Sequence, residues 1–420
     1  NTVDGDANGP WNLTVVTTNP LAQIEFNDAV GSGHLIGTVT VLNAGLLTIG
    51  ADADFTLEGS FLQTGTGAVR TAGDMAAVDV QFFSAVTLTG DISIQTHIAS
   101  GDIRFQNTVD GVGLDNLTLA AGSGDIVFAN TVGGAVPLAA ITIQSARDVT
   151  FQGTVTAASL VEEAGEGTIT LCGDVTTNAA EGVDLTSPNV VLDGLTITTL
   201  GDGVVRFDAA VGLTGDVTID SQGPIRFEST LDSPGGAAHR LTLSSQTDIG
   251  FFDDVGLATA GALGAVVISH ADNVEVAGSL NAASLVQVAG WGTTTLAGDI
   301  TTSAAQGVDV TAARVALGSL TIVATGSGIV RFNAPVELHG DATIDAEGSI
   351  AFERTLESPG SLAEPLRLGS DADIFFRDSV GDGPGNALGA LTITTARDVE
   401  ADGVIVADSL VQLVGSGTTT

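Results

Sequence analysis

Apolar and polar positions alternate along nearly the whole chain in short bursts. Val217-Thr218-Ile219, Leu241-Thr242-Leu243 and Leu320-Thr321-Ile322 carry an apolar residue at every second position. A period of two is the signature of a strand with one buried face. Gly-Asp, Gly-Ser and Pro-Gly pairs interrupt the bursts roughly every 8–12 residues, where turns are favoured. A helical period is nearly absent. Ala157 to Glu163 has the composition for one helical turn, but the equivalent Asp408-Ser409-Leu410-Val411 reads as strand.

The bursts repeat on two scales. Phe82, Phe105, Phe128 and Phe151 are spaced by 23 residues. Around them runs a pattern of β-branched residue, any residue, Phe, three residues, then Val or Leu. Ile103-Arg104-Phe105 with Val109 is one case, and Ile225-Arg226-Phe227 with Leu231 is another. The even step from Phe to Val or Leu predicts that both point inward if the strand continues between them. On the longer scale, Gly90-Asp91, Gly215-Asp216 and Gly340-Asp341 recur at intervals of 125 residues. So do Leu160-Val161, Leu285-Val286 and Leu410-Val411. The first copy is shorter: Asn1-Thr2-Val3-Asp4-Gly5 returns as Asn107-Thr108-Val109-Asp110-Gly111, and about one 25-residue unit is missing.

A unit of 20–25 residues cannot bury an apolar face alone, but stacked units can, each adding a strand to its neighbour. The expectation is all-β: an elongated single-chain β-solenoid, or β-helix, of about 20–25-residue coils grouped in 125-residue super-repeats. A blade of a β-propeller needs about 40–50 residues, which the 23-residue ladder does not match. The super-repeats divide the chain into a shortened copy over 1–90, full copies over 91–215 and 216–340, and a partial copy over 341–420. Five or six coils per super-repeat, at about 4.8 Å each, give a rod on the order of 80–100 Å. Both ends fall in mid-repeat without a polar cap, so the stretch is expected to belong to a longer chain.

Composition narrows the function classes. The 420 residues hold 50 Asp and Glu against 12 basic residues, all Arg, for a net charge of −38. Such a surface repels nucleic acid and anionic membranes. The longest mostly apolar uncharged stretches, such as Val132 to Ala146, are too short for a membrane helix of about 18–20 residues. No Lys is available for a P-loop or Schiff base, and a single Cys allows neither an intrachain disulfide nor a cysteine zinc site.

Strings such as Gly173-Asp174-Val175-Thr176-Thr177 and Gly182-Val183-Asp184-Leu185, with the Ile-x-Phe-x-x-x-Val coils, resemble large secreted bacterial repeat proteins of the filamentous haemagglutinin type. The resemblance covers nearly the whole chain and rests on composition and period. It implies a β-helix shaft at a bacterial cell surface, serving adhesion or an extracellular filament. The family's N-terminal secretion domain is not in this stretch.

Carboxylates are the main candidate chemistry. Asp91, Asp216 and Asp341 recur, as do Asp74, Asp174 and Asp299, and a third set is Asp125, Asp248 and Asp373. All flank turns, where Asp bonds the local backbone. The functional alternative is Ca²⁺ held between coils by their oxygens, although no nonapeptide calcium array or EF-hand loop is present. No other cofactor is expected. Asp253-Asp254 and Glu162-Glu163 are the nearest acid pairs for a glycosidase, but strand neighbours point to opposite faces. An enzyme is therefore not expected. His34, His97, His239, His270 and His339 do not recur and read as surface decoration, and Cys172 reads as a small buried side chain. The sequons Asn12-Leu13-Thr14 and Asn116-Leu117-Thr118 lie at equivalent strand starts. Trp291 aligns with Glu166 and Ser416 and so breaks the repeat. It is a candidate binding residue, or one folded over a turn. The expected role is a passive structural shaft whose partners are neighbouring copies or the continuation of the same chain. The alternative is an adhesin whose flank binds a surface, glycan or host receptor.

Overall fold

The structure is a computed structural model that describes residues 2–96, 100–360 and 362–420. It is a β-solenoid: short strands pair in parallel with the strands one coil before and one coil after. Helix among the described residues is confined to one 3-10 turn, Pro234–Gly236. The chain divides into two compact units, Asn1–Ala209 and Ala210–Thr420. The boundary falls close to the super-repeat junction at 215.

In the first unit the coils have three faces, each contributed by a short strand, an isolated bridge or part of a longer strand. Ile92–Thr96, Ile103–Phe105 and Val109–Asp110 make one coil. One face stacks Ile92, Leu117, Ile141, Leu160 and Val183. The next stacks Val80, Ile103, Ile126, Val149, Ile169 and Val190. The third stacks Val86, Val109, Val132, Val155 and Val175. The alternation read from the sequence is thus one inward row per face, and burial follows it strand by strand, as in Ile103–Phe105.

Phenylalanine fills the interior as expected. Phe105 stacks on Phe128 with ring centroids 4.9 Å apart, and Phe128 on Phe151 at 4.7 Å. In the second unit Phe227 stacks on Phe251 at 5.3 Å. The reason for the inward Val differs from the sequence expectation. The strand does not continue from Phe105 to Val109; it breaks, and Val109 starts a strand on the next face. Both residues still point to the common axis, because the corner turns the chain toward it.

The super-repeat does not equal a whole number of coils. In the second unit Val217 stacks under Leu241, Val266, Leu285, Val308 and Val330, five coils in all. The chain then passes Val336 on the second face and reaches Ala342 on the third. From Val217 to its equivalent Ala342, 125 residues, is therefore five and two-thirds coils. Equivalent residues move to a different face in each copy. The register shift in Leu117–Ala120, between Leu119 and Ala120, recurs between Leu243 and Ser244 and between Leu368 and Gly369.

Candidate functional site

Most of the recurrent aspartates have one geometry in common. A carboxylate oxygen reaches across to a backbone N–H at the strand start of the next coil, whereas Asp125 pairs with the Arg147 guanidinium instead. Asp91 accepts from Asn116 N at 2.8 Å, Asp74 from Ser93 N at 2.7 Å, and Asp174 from Thr196 N at 2.8 Å. In the second unit Asp216 accepts from Arg240 N at 2.9 Å, Asp299 from Thr321 N at 2.7 Å, and Asp248 from Asn273 N at 3.2 Å. Strand starts leave an N–H that would otherwise face water, and a charged acceptor makes the stronger bond. Asp341 makes no such bond: the residue one coil on, equivalent to Arg240, is Pro365, which has no N–H. Asp373 accepts from Asp398 N at 3.2 Å and pairs with Arg397. The Arg397 guanidinium holds the Asp373 carboxyl below the usual range. Burial pushes Asp102 up, but hydrogen bonds from Asp125 N and Arg104 prevail and its value is lowered. The calcium candidates are therefore strung along the coils, one to a corner. Among the described residues no three His, Cys, Asp or Glu side chains are grouped to share a metal ion.

A second recurring feature is a pair of longer loops on adjacent coils, found four times among the described residues. The first loop of each pair starts with an acid: Asp4, Asp110, Asp232 or Glu357. These take hydrogen bonds from Gly33 N at 2.8 Å, Ala135 N at 2.7 Å, Ala258 N at 3.0 Å and Asn386 Nδ2 at 2.9 Å. The second loop starts with a glycine in the left-handed region: Gly31, Gly133, Gly256 or Gly381, with φ between 65° and 81°. A Cβ on any of these would sit 2.0–2.1 Å from a carbonyl oxygen of the next coil. Sequence reasoning missed this site. A partial signal was present as Phe-x-x-x-Val-Gly at Phe26–Gly31, Phe128–Gly133, Phe251–Gly256 and Phe376–Gly381, but the same string at Phe207–Gly212 runs into the strand Ala210–Leu213. The frame is constant while the loop tips differ. Leu114, Leu257 and Leu362 stand exposed on three of the pairs. Because the super-repeat is fractional, successive pairs within each unit leave from different faces.

The remaining candidates lie apart. Cys172, expected to be buried, is exposed, because it sits just past the inward Leu171 at a corner. Burial of its surroundings still pushes the thiol pKa up. Of the pair Glu162-Glu163, Glu163 is exposed while Glu162 is buried and accepts from Ser187 N at 2.7 Å and Ser187 Oγ at 2.6 Å. Gln287 and Gln412 hold the equivalent positions and accept from Thr294 and Thr419 hydroxyls. Asp254 accepts from Ser279 N, and Asp253 from Asp254 N. His34 and His339 are exposed, His239 lies 3.9 Å from Asp216, and His97 lies outside the described residues. Both sequon asparagines cap the next coil, Asn12 on Thr38 N and Asn116 on Ala140 N. Trp291 projects outward, with its ring 5.4 Å from that of His270.

No family model, curated protein or solved structure matches the chain.

Proposed function

We propose that this chain is a structural shaft segment of a large extracellular bacterial surface or filament protein of the filamentous haemagglutinin type. One observation carries the reading. Most of the carboxylates that recur with the repeat, the chain's main polar resource, are engaged in fastening one coil's backbone to the next. What recurs is what extends and holds the stack, and the role that follows is non-enzymatic. The acidic surface keeps such segments apart in solution. The exposed leucines at the variable tips of the latched loop pairs favour the second reading, an adhesin flank carried by the same shaft.

The localisation part is tested on intact cells of the source bacterium. Antibodies against the loop pairs should label unpermeabilised cells. Labelling only after permeabilisation contradicts the extracellular reading.

A further inference from the structure

The corner after Leu138–Ser145 recurs after Leu263–His270 and Leu388–Ala396 with the same backbone frame. Arg147, Asp272 and Arg397 donate their amides to Gly124, Thr247 and Ala372 carbonyls at 2.8, 2.6 and 2.7 Å. One coil later Glu166, Trp291 and Ser416 donate to Ala146, Ala271 and Ala396 carbonyls at 2.9, 3.1 and 3.2 Å. The side chains of Asp148, Asn273 and Asp398 all accept from the next coil's threonine N–H, at 2.9, 2.9 and 2.6 Å. The backbone is thus held constant while four side-chain positions change.

In the two outer copies an arginine fills the corner. Arg147 pairs with Asp125 at 2.8 Å and with Asp148 at 3.2 Å. Arg397 pairs with Asp373 and, at 3.5 Å, with Asp398. The middle copy has no arginine there. Asp272 stands in its place, exposed, and its carboxylate has no hydrogen-bond or ion-pair partner among the described residues. Asp248 remains, held by Asn273 Nδ2 at 2.9 Å. Net charge alone does not set the middle corner apart, since Asp125, Arg147, Asp148 and Glu166 also sum to two negative charges; what differs is that the carboxylates Asp248 and Asp272 face no arginine at the Arg147 and Arg397 position. The middle copy also carries aromatic surface that the other two lack at this position. Trp291, 65% exposed, lies beside His270 with rings inclined at 48°. Arg226, on the neighbouring face, is engaged by Glu228 at 2.7 Å and by the Phe252 ring at 4.4 Å.

We propose that the middle corner is a recognition site for an arginine side chain presented by a basic peptide segment of another protein. The guanidinium would take the place that Arg147 and Arg397 occupy in the outer copies, facing Asp248 and Asp272, with its flat face on Trp291. Arginine suits this set because it pairs with carboxylates and stacks on an indole at once. The unpartnered carboxylate calls for a cation rather than a neutral sugar. A second copy of this chain, at −38, is repelled, whereas a basic segment is attracted. The site stands independently of the shaft reading.

The test uses the full chain carrying Trp11→Phe, so that Trp291 is the only fluorophore of its kind. A blocked Gly-Arg-Gly peptide is titrated at low salt against blocked Gly-Lys-Gly and methyl glucoside. A saturable shift in Trp291 emission is expected for the arginine peptide, with half-saturation roughly in the millimolar range for one exposed pair plus a ring contact. Added salt should weaken it. Asp272→Arg, which copies the outer corners onto a frame that already carries arginine twice, should weaken binding at least about tenfold, with the unfolding midpoint unchanged. Trp291→Glu, copying Glu166, should abolish binding followed by calorimetry. Equal binding by Asp272→Arg, equal or tighter binding of the lysine peptide or the sugar, or an emission change that tracks protein concentration and so reports self-association would each overturn the proposal.

Discussion

The carboxylate of Asp110 accepts a hydrogen bond from the amide of Ala135, 25 residues later, at 2.7 Å. The same latch joins Asp232 to Ala258 at 3.0 Å in the second unit. Each latch ties the loop of one coil to the loop of the coil before it. Asp110→Ala and Asp232→Ala should each cost about 0.5–1.5 kcal/mol. Hydrogen exchange should speed up at Ala135 or Ala258 and leave the strands unaffected. Asn at either position retains an acceptor oxygen and should restore most of the protection.

The glycines opposite those latches should tolerate far less. Gly133 has φ 70°, and a Cβ there would lie 2.0 Å from the Thr156 carbonyl oxygen. Gly133→Ala should therefore destabilise by more than about 2 kcal/mol, through backbone strain and displacement of the next coil. Gly113 lies in the partner loop with open space around it and no positive φ. Gly113→Ala should change stability by less than about 0.5 kcal/mol. Urea unfolding of both variants makes the comparison.

In the core, Phe128 is sandwiched between Phe105 and Phe151 and is fully buried. Phe128→Ala should cost about 3–5 kcal/mol by denaturant unfolding. Phe83, next to the inward Phe82 but 47% exposed, should accept Ala within about 0.5 kcal/mol.

The contrast between Phe82 and Phe83 shows what the sequence makes legible. A buried row repeats at the coil length, so its members are visible as the 23-residue ladder, and the strand alternation follows from it. The face to which each row belongs is not visible, because corner lengths vary. The step from Val69 to Val86 is 17 residues, and from Leu241 to Val266 it is 25. Two-thirds of a coil therefore accumulates unseen in each super-repeat. Buried polar residues were also hidden. In the sequence Glu162 is one half of the pair Glu162-Glu163, and only the stacked coil shows it buried against its donor Ser187. Asn43 and Gln63 are similar: both are buried and joined at 2.7 Å across one coil. The recurring aspartates were recognised as turn residues, but the N–H they cap belongs to the next coil, which only stacking reveals.

Acid should loosen the coil-to-coil caps. Asp102 and Asp373 have lowered folded values. A lowered folded pKa contributes stability that is present above the ordinary Asp value of about 3.9 and is lost as pH falls through the folded value. The unfolding midpoint should thus be flat from neutral pH to about pH 5 and fall below about pH 4. Asp102→Asn should shallow that acid limb by lowering the midpoint at pH 7, the two proteins converging in acid where Asp102 is protonated. An acid limb unaltered by the substitution would show that Asp102 does not contribute to it.

The claim that this fold is a sum of coils, each fastened to its neighbours, is tested most directly by removing residues 216–340. The junction Gly215–Asp341 reproduces the native Gly340–Asp341 step, and Thr196–Thr199 matches the Thr321–Ala324 stretch of Leu320–Ala324 that normally precedes Ala342–Ala346. Stability in stacked arrays is roughly additive over neighbours. Circular dichroism followed through urea unfolding should show the β signal per residue of the intact chain and a cooperative transition. Loss of that signal, or aggregation of the shortened chain under conditions where the intact chain stays folded, would contradict the account.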